Sequence, residues 1–103
     1  MRMIKELAKR IKEELHDAEW YAEAALEHKA TSPEVADVYY HLAKDELGHA
    51  NLLHGQVVAM IRKTSAEKDV PPVMRELWAW QHDEIVEEQA EVMRLIEMYG
   101  THS

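Results

Sequence analysis

The chain has 103 residues, enough for one small domain or for one protomer of an assembly whose core a partner completes. Hydrophobic residues make up 47% of it, which excludes a disordered chain, and the absence of cysteine excludes disulfides and thiolate metal sites. The 12 basic and 20 acidic residues give a net charge of -8, which disfavours binding to nucleic acids and to anionic membranes.

The N-terminal segment MRMIKELAKRIKEEL carries a charge every few residues and lacks the apolar run of a signal peptide. No stretch approaches the roughly 18 apolar residues that a membrane span requires. A chain without cysteine also suits a reducing compartment. We therefore expect a soluble, cytoplasmic protein.

Three long helices are predicted, because only three glycines and three prolines interrupt the chain. The first should cover residues 2–29, the second 33–63 and the third 72–99. Ser32 suits the N-cap of the second helix and Pro33 its first position, while Gly100 should end the third helix. Short connections make neighbouring helices antiparallel, so residues 1–103 are predicted to form one elongated all-α domain.

Each predicted helix carries an apolar stripe at helical spacing, and each stripe contains polar exceptions. The ionisable exceptions are Glu14 in the first helix, Glu46 and His49 in the second, and Glu88 in the third. The stripes expected to face inward are Ile4, Leu7, Ile11, Glu14, Ala18, Tyr21 and Ala25; then Val35, Tyr39, Leu42, Glu46, His49, Leu53, Gln56 and Met60; then Met74, Trp78, Gln81, Ile85, Glu88, Val92, Leu95 and Tyr99. Trp80, His82 and Ile96 allow a rotated choice for the third helix.

These exceptions are predicted to meet at one height of the bundle. Folding the second helix back about residues 30–32 sets Glu46 and His49 opposite Glu14, and folding the third back about residue 67 brings Glu88 level with them. A buried, unpaired carboxylate costs several kcal/mol, so such groups normally hold a proton, a cationic partner or a metal ion. E-x-x-H projects both side chains from one helix face, and a facing Glu adds oxygen donors that suit iron, manganese or zinc.

One chain offers three such donors, Glu14, Glu46 and His49, whereas a two-metal site takes about six. A two-fold dimer would supply the other half across its interface. A line of mostly small residues on the second helix would let another helix approach closely: Gly48, Leu52, Gly55 and Ala59.

Two segments carry a resemblance to a known family. EELHDAEWY at residues 13–21, followed by LAKDELGHANLL at residues 42–53, resembles the ferritin-like superfamily. In that superfamily, a Glu seven residues before a Tyr on one helix meets E-x-x-H on the next. Bacterioferritins and rubrerythrins share this arrangement, and the encapsulated ferritin group is the most similar. The resemblance covers about residues 13–57.

The resemblance implies a half-ferritin whose dimer forms a four-helix di-iron bundle, with Glu14, Glu46 and His49 as metal ligands and catalytic residues. It implies that the Tyr21 hydroxyl supports a ligand carboxylate, and Trp20 falls where the encapsulated group has a tryptophan. The implied activity is that of a ferroxidase, the oxidation of Fe(II) by dioxygen or peroxide, in iron detoxification, iron storage or defence against oxidative stress.

The implied partners are further copies of the chain, as a dimer or a dimer-based ring, and a surrounding protein nanocompartment. Two departures disfavour the nanocompartment: the third helix is longer than that of the encapsulated group, and GTHS carries no hydrophobic cargo-loading tail. The third helix also resembles the last helix of bacterioferritins, with His82 in place of the second motif's His but Ala79 in place of its Glu. A complete site within one chain is therefore not expected.

A different class of function stays open, a non-catalytic helical assembly or adaptor protein. Glu14, Glu46 and His49 would then form a buried polar network that fixes the dimer register. Metal content separates the two hypotheses.

Further polar residues have weaker patterns. Glu84, Glu87 and Glu88 suit a solvated helix face, a cation entry path or a share of the site. His16 with Asp17 would make an outer site, and His41 lies in line with Asp45 and His49. Trp78 and Trp80 cannot share one face, so one is expected in a subunit interface. The histidines expected at the surface are His28, His54, His82 and His102.

Overall fold

A computed structural model describes residues 2–67 and 71–101, with side chains for all of these except residues 65–67 and 101. The described ranges form three α-helices and no strand: α1 Arg2–His28, α2 Pro33–Glu67 and α3 Pro72–Thr101. The all-α prediction is therefore confirmed. None of the described helices combines the length and the apolar content that crossing a bilayer would need.

The helices begin where their capping residues predict. The Ser32 carbonyl accepts a hydrogen bond from the Ala36 N–H at 2.9 Å, as an N-cap residue should, and Pro33 takes the first position of α2. Pro71 plays the same part for α3, because its carbonyl accepts from the N–H of Met74 at 3.0 Å. The antiparallel hairpin of α1 and α2 is thus set by the short connection at residues 29–32.

Two helix ends differ from the prediction. The second helix runs to Glu67 rather than to residue 63, because its polar end contains neither glycine nor proline. The prediction that Gly100 stops α3 is wrong, since the helix includes it and ends at Thr101. Its last turn is held by tertiary packing: the rings of Tyr40 and Tyr99 stack at 4.5 Å between centroids.

The core lies mainly between α1 and its two neighbours, in a molecule of 56 × 17 × 17 Å. Helix α1 packs closely along α2, whereas α3 packs mostly on α1 and meets α2 at fewer positions. The buried positions are Ile4, Ala8, Ile11, Leu15, Ala18, Ala22, Ala24 and Ala25 of α1; Ala36, Ala43, Ala50 and Val57 of α2; and Trp78, Ile85, Val92, Leu95 and Tyr99 of α3.

Every second residue of the stripe expected to face inward on α2 is exposed instead. Val35, Leu42, His49 and Gln56 are exposed, and the buried line runs one residue later along the helix. Three of its four members are alanines at seven-residue spacing, and their small side chains let α1 and α2 approach. Larger apolar side chains such as Leu42 therefore remain on the outside of the hairpin.

The stripes of α1 and α3 agree better with the structure. Trp78 is buried and Trp80 is exposed, so the rotated choice for α3 is wrong. The ammonium group of Lys12 lies 5.3 Å from the centre of a Trp80 ring, and whether that ring also meets another subunit stays a prediction. A Cβ atom at Gly48 or Gly55 would meet nothing within 4 Å, so none of the described helices packs directly against these two glycines.

Helix α3 covers one long side of the hairpin and leaves the other uncovered. Lys12 of α1 reaches Glu84 of α3 at 2.7 Å, and Glu14 lies two positions further on, roughly 200° around the helix. Glu14 therefore points away from α3. We call this uncovered side the open face; its central residues are Arg10, Glu14, Tyr21, Leu42, Glu46 and His49.

Candidate metal centre

Three polar side chains meet at the middle of the open face. One ligand atom from each of Glu14, Glu46 and His49 lies within 4.8 Å of the other two. The His49 Nδ1 atom is 3.5 Å from Glu46 Oε1 and 3.8 Å from Glu14 Oε2. The helical i, i+3 spacing places Glu46 and His49 on one face, and the antiparallel hairpin brings Glu14 opposite them.

The two carboxylates are sheltered, whereas the imidazole is not. The side chain of Glu14 is 12% exposed and that of Glu46 22% exposed, against 58% for His49. Arg10 Nε lies 3.3 Å from Glu14 Oε1. The other oxygen, Glu14 Oε2, is buried and has no hydrogen-bond partner among the described residues. A buried acceptor without a partner is costly, which is the condition that a bound cation would relieve.

The pKa of Glu46 is raised to about 7 from its ordinary value of 4.5. The largest cause is a hydrogen bond with Glu14, which two carboxyl groups can share only when one of them is protonated. Burial and the charge of Glu14 add to the shift, while His49 opposes it. A pKa of about 7 means that the carboxyl pair retains a proton up to near-neutral pH, and a bound cation would have to displace it.

The donors present fit a hard or borderline dication. Two carboxylates and an imidazole form the mixed oxygen and nitrogen set that binds iron, manganese or zinc. Glu14, Glu46 and His49 supply three protein ligands on a surface that α3 does not close. The remaining coordination positions are thus available to water or to another molecule.

Aromatic rings cluster about two helical turns from the centre, since Tyr21 follows Glu14 and Tyr39 precedes Glu46 by seven residues. The ring centroids of Trp20 and Tyr21 are 5.7 Å apart, and those of Tyr21 and Tyr39 are 6.1 Å apart in a stacked arrangement. Within the described residues, the Tyr21 hydroxyl makes no hydrogen bond to Glu14 or Glu46. The hydrogen-bonding role that the resemblance implies for Tyr21 stays a prediction.

A second group of donors lies on the side covered by α3. Its members are His16, Glu19 and Glu88, which again offer ligand atoms within 4.8 Å of one another. The pKa of Glu88 is raised, first by burial and then by the charge of Glu19. Glu88, whose share in the centre of Glu14, Glu46 and His49 the sequence leaves open, does not join it and lies on the opposite side of α1.

The acidic residues around Glu88 line a solvent-filled groove of about 440 Å³ between α1 and α3. Glu84 is neutralised there by Lys12, whose ammonium group lies 2.7 Å from it. Asp17, the predicted partner of His16, does not belong to this group of donors. A cation entry path along the groove stays a prediction. The lining residues are Lys12, Glu19, Glu84, Glu87, Glu88 and Glu91.

The remaining histidines have other contacts. His41 pairs with Asp37 at 3.4 Å rather than with Asp45, and His28 stacks on Tyr39 at 6.0 Å between centroids. His54 and His82, predicted as separate surface residues, contact each other across α2 and α3. The two lie at equal distances from the α2–α3 connection, which is the signal that could have revealed the pair. His102 lies outside the described residues.

Comparisons of the chain with protein-family models, with curated proteins and with solved structures find no match. The function of the open face must therefore be argued from its own geometry and chemistry. Its most informative features are the closeness of Glu14 to Glu46 and the buried carboxylate oxygen that has no partner.

Proposed function

We propose that this chain is a ferritin-like iron-binding protein that carries half of a two-metal site on its open face. The observation that carries the proposal is the buried Glu14 Oε2 atom, which lacks a hydrogen-bond partner and lies beside Glu46 and His49. A cation between these groups would neutralise the two carboxylates and give that oxygen a ligand bond. The same donor set would also take manganese or zinc.

A second copy of the chain would supply the other half of the site. Two metals take about six protein donors, and each chain contributes Glu14, Glu46 and His49. A two-fold axis through the open face would set these three donors against the same three of the partner. Exposed apolar and aromatic side chains next to the site, Leu42 and Trp20 among them, suit such an interface.

The proposed reaction is the oxidation of Fe(II), which is the substrate. Two Fe(II) ions become two Fe(III) ions and give up two electrons, which together with two protons from solvent reduce dioxygen to hydrogen peroxide or hydrogen peroxide to two water molecules. Carboxylates attract Fe(III) more strongly than Fe(II) because its charge is higher, so Glu14 and Glu46 favour the oxidised product. Physiologically, such a reaction would serve iron detoxification, iron storage or defence against oxidative stress.

One observation favours the non-catalytic alternative, an assembly or adaptor protein. Arg10 Nε lies 3.3 Å from Glu14 Oε1 and already neutralises part of its charge. In that alternative the open face would dimerise around a polar network of Arg10, Glu14, Glu46 and His49 without metal. The two functions differ in whether assembly and metal content depend on each other.

The test is iron loading of the purified protein, with Fe(II) oxidation followed in air. We expect about one iron per chain, oxidation faster than in buffer, and loss of both in the Glu46→Ala/His49→Ala variant. The matched control is Asp37→Ala/His41→Ala, which removes an acid and a histidine from a solvent-exposed pair on the same helix. The control should bind and oxidise iron as the unchanged protein does.

Assembly is measured in the same samples by native mass spectrometry, with and without a chelator. If metal joins the two halves, the chelator should weaken the dimer. A dimer that holds no metal and forms equally well with chelator would establish the adaptor function instead. Unchanged iron binding in Glu46→Ala/His49→Ala would rule out the open face as the metal site.

A further inference from the structure

The histidine pair between α2 and α3 is separate from the centre on the open face. His54 Nε2 lies 3.1 Å from His82 Nδ1, and the ring centroids are 5.0 Å apart with the planes at 35°. One neutral ring donates this hydrogen bond and the other accepts it. Because α2 and α3 meet at few positions, the pair is one of the few polar links between them.

A small hollow lies directly beside the two rings. It has a volume of about 30 Å³, enough for an ion with a bound water, and both His54 and His82 line it. Its other walls are mostly apolar, with Trp78 and Ile85 of α3 and Val57 of α2, while Gln81 adds an amide. The two imidazoles thus border the hollow on one side, while His82 is exposed to solvent on the other.

The spacing of the two nitrogens matches that of two ligands on one metal ion. Metal–imidazole bonds of about 2.0–2.1 Å place adjacent nitrogens about 2.9 Å apart in square-planar or octahedral geometry and about 3.3 Å apart in tetrahedral geometry. The observed 3.1 Å lies between these values. A modest rotation of the rings would aim both lone pairs at the hollow in place of the hydrogen bond.

We infer that His54 and His82 form a two-imidazole site for a late first-row dication, Zn²⁺ or Cu²⁺, which clips α3 to α2. Imidazole nitrogen selects these ions over Mn²⁺ and Mg²⁺, which prefer oxygen donors. The site thus differs in chemistry from the carboxylate-rich centre on the open face. A neighbouring hollow that His82 also lines carries Asp83 together with Arg62 and Arg75, so the charge of the ion would be balanced by solvent anions rather than by this carboxylate.

The hydrogen bond between the two rings needs an acceptor nitrogen, so at least one ring is neutral, as a metal ligand must be. An ion held by one histidine from each helix would stabilise the folded chain by linkage, since the unfolded chain does not hold the two rings together. The clip would act whether or not the open face binds iron.

The test uses the full chain with Glu46→Ala/His49→Ala, so that the centre on the open face cannot contribute. Zn²⁺ should raise the Tm of this background, and Mn²⁺ at the same concentration should not. Adding His82→Gln, a substitution at an exposed position, should abolish the rise and weaken Zn²⁺ binding by about 10²-fold, because a chelating pair becomes a single ligand. Adding His54→Ala should do the same, and adding His41→Ala should change nothing.

Cu²⁺ gives a second readout on the same variants. Electron paramagnetic resonance of one equivalent should show two equivalent imidazole nitrogens, and the ion should quench the fluorescence of the adjacent Trp78. Helix content measured by circular dichroism shows that each variant is folded. No Zn²⁺ shift in the background, or a shift that persists in His82→Gln, would overturn the inference.

Discussion

The two long sides of the α1–α2 hairpin carry similar donors in different surroundings. On the side covered by α3, the carboxylates line a groove filled with solvent, and Lys12 neutralises Glu84 at 2.7 Å. On the open face, the Glu14 carboxylate is sheltered, and one of its oxygens has no hydrogen-bond partner in the part of the chain that the structure describes. The donor groups compared are His16, Glu19 and Glu88 on the covered side, and Glu14, Glu46 and His49 on the open face.

The difference shows that donor type alone does not identify a metal site. Both sides offer one imidazole and two carboxylates within the same 4.8 Å, so ligand spacing alone does not distinguish them. In the covered groove Lys12 pairs with Glu84, whereas on the open face Arg10 pairs with Glu14 Oε1 and leaves the buried Oε2 atom without a hydrogen bond among the described residues. An unmet electrostatic demand is therefore a sharper criterion than proximity.

The largest expected contrast between the two sides is in packing. Leu15, 1% exposed, contributes to the core that α1 forms with Trp78 and Ile85 of α3, so Leu15→Ala should cost about 2–5 kcal/mol of unfolding free energy. Leu42 on the open face is 36% exposed, so Leu42→Ala should cost less than about 1 kcal/mol within the chain. If a second copy covers the open face, Leu42→Ala should weaken the dimer roughly tenfold.

Urea unfolding at two protein concentrations measures the two changes in unfolding free energy, and sedimentation equilibrium measures the weakening of the dimer by Leu42→Ala. Leu15→Ala should lower the unfolding midpoint equally at both concentrations. A dimer as tight in Leu42→Ala as in the unchanged chain would place the interface elsewhere, and with it the other half of the proposed site.

Local chemistry explains which parts of the fold could be predicted. Pro33 and Pro72 mark helix starts with fixed dihedral angles and missing N–H groups, so α2 and α3 begin where predicted. The buried line of α2 could not be read from hydrophobicity, because Ala43 and Ala50 are less apolar than the exposed Leu42. Their burial is decided by how closely two helices can approach, which is a property of the pair.

The sequence could predict which donor residues lie level with one another in the bundle, because their distances from the turn decide this. Equal distance from a turn brings Glu14 to Glu46, and the same rule brings His54 to His82. Height says nothing about the direction around a helix axis, so it leaves open on which side of α1 Glu88 lies. The direction depends on where α3 packs, which is set by its contacts with α1 and not by its own periodicity.

A smaller effect is expected in the way the unfolding free energy depends on pH. The pKa of Glu46 is about 7 in the folded chain and near 4.5 when unfolded, so the folded state binds the extra proton between these values. The stability that Glu46 contributes is fully present below pH 4.5 and is lost as the pH rises through 7. Solvent on the open face screens the interaction, so we expect the metal-free chain to lose on the order of 1 kcal/mol between pH 5 and pH 8.

Urea unfolding with chelator at the two pH values measures this loss. Glu46→Gln keeps the shape of the side chain without its charge, so this variant should not show the loss of stability between the two pH values. Glu88→Gln is the matched variant on the covered side, where burial also raises the pKa, so its effect should have the same sign. With saturating metal, the contribution of Glu46 to stability should instead increase as the pH rises, because the ion displaces the proton that Glu46 shares with Glu14. The contribution of Glu88 should not change in this way. An identical pH dependence in Glu46→Gln and the unchanged chain would contradict the shared proton.

The smallest expected effects separate the two cations, Arg10 on the open face and Lys12 on the covered side. Lys12 joins α1 to α3 through Glu84, so Lys12→Ala should lower the unfolding free energy by up to about 1 kcal/mol and leave iron binding unchanged. Arg10 contacts Glu13 and Glu14 of its own helix, so Arg10→Ala should hardly change stability. Because Arg10 competes with a metal ion for Glu14, its loss should tighten iron binding about two- to fivefold, measured by competition with a chelator of known affinity. Weaker iron binding in Arg10→Ala would instead show that the guanidinium holds Glu14 in place as part of the polar network that the adaptor function requires.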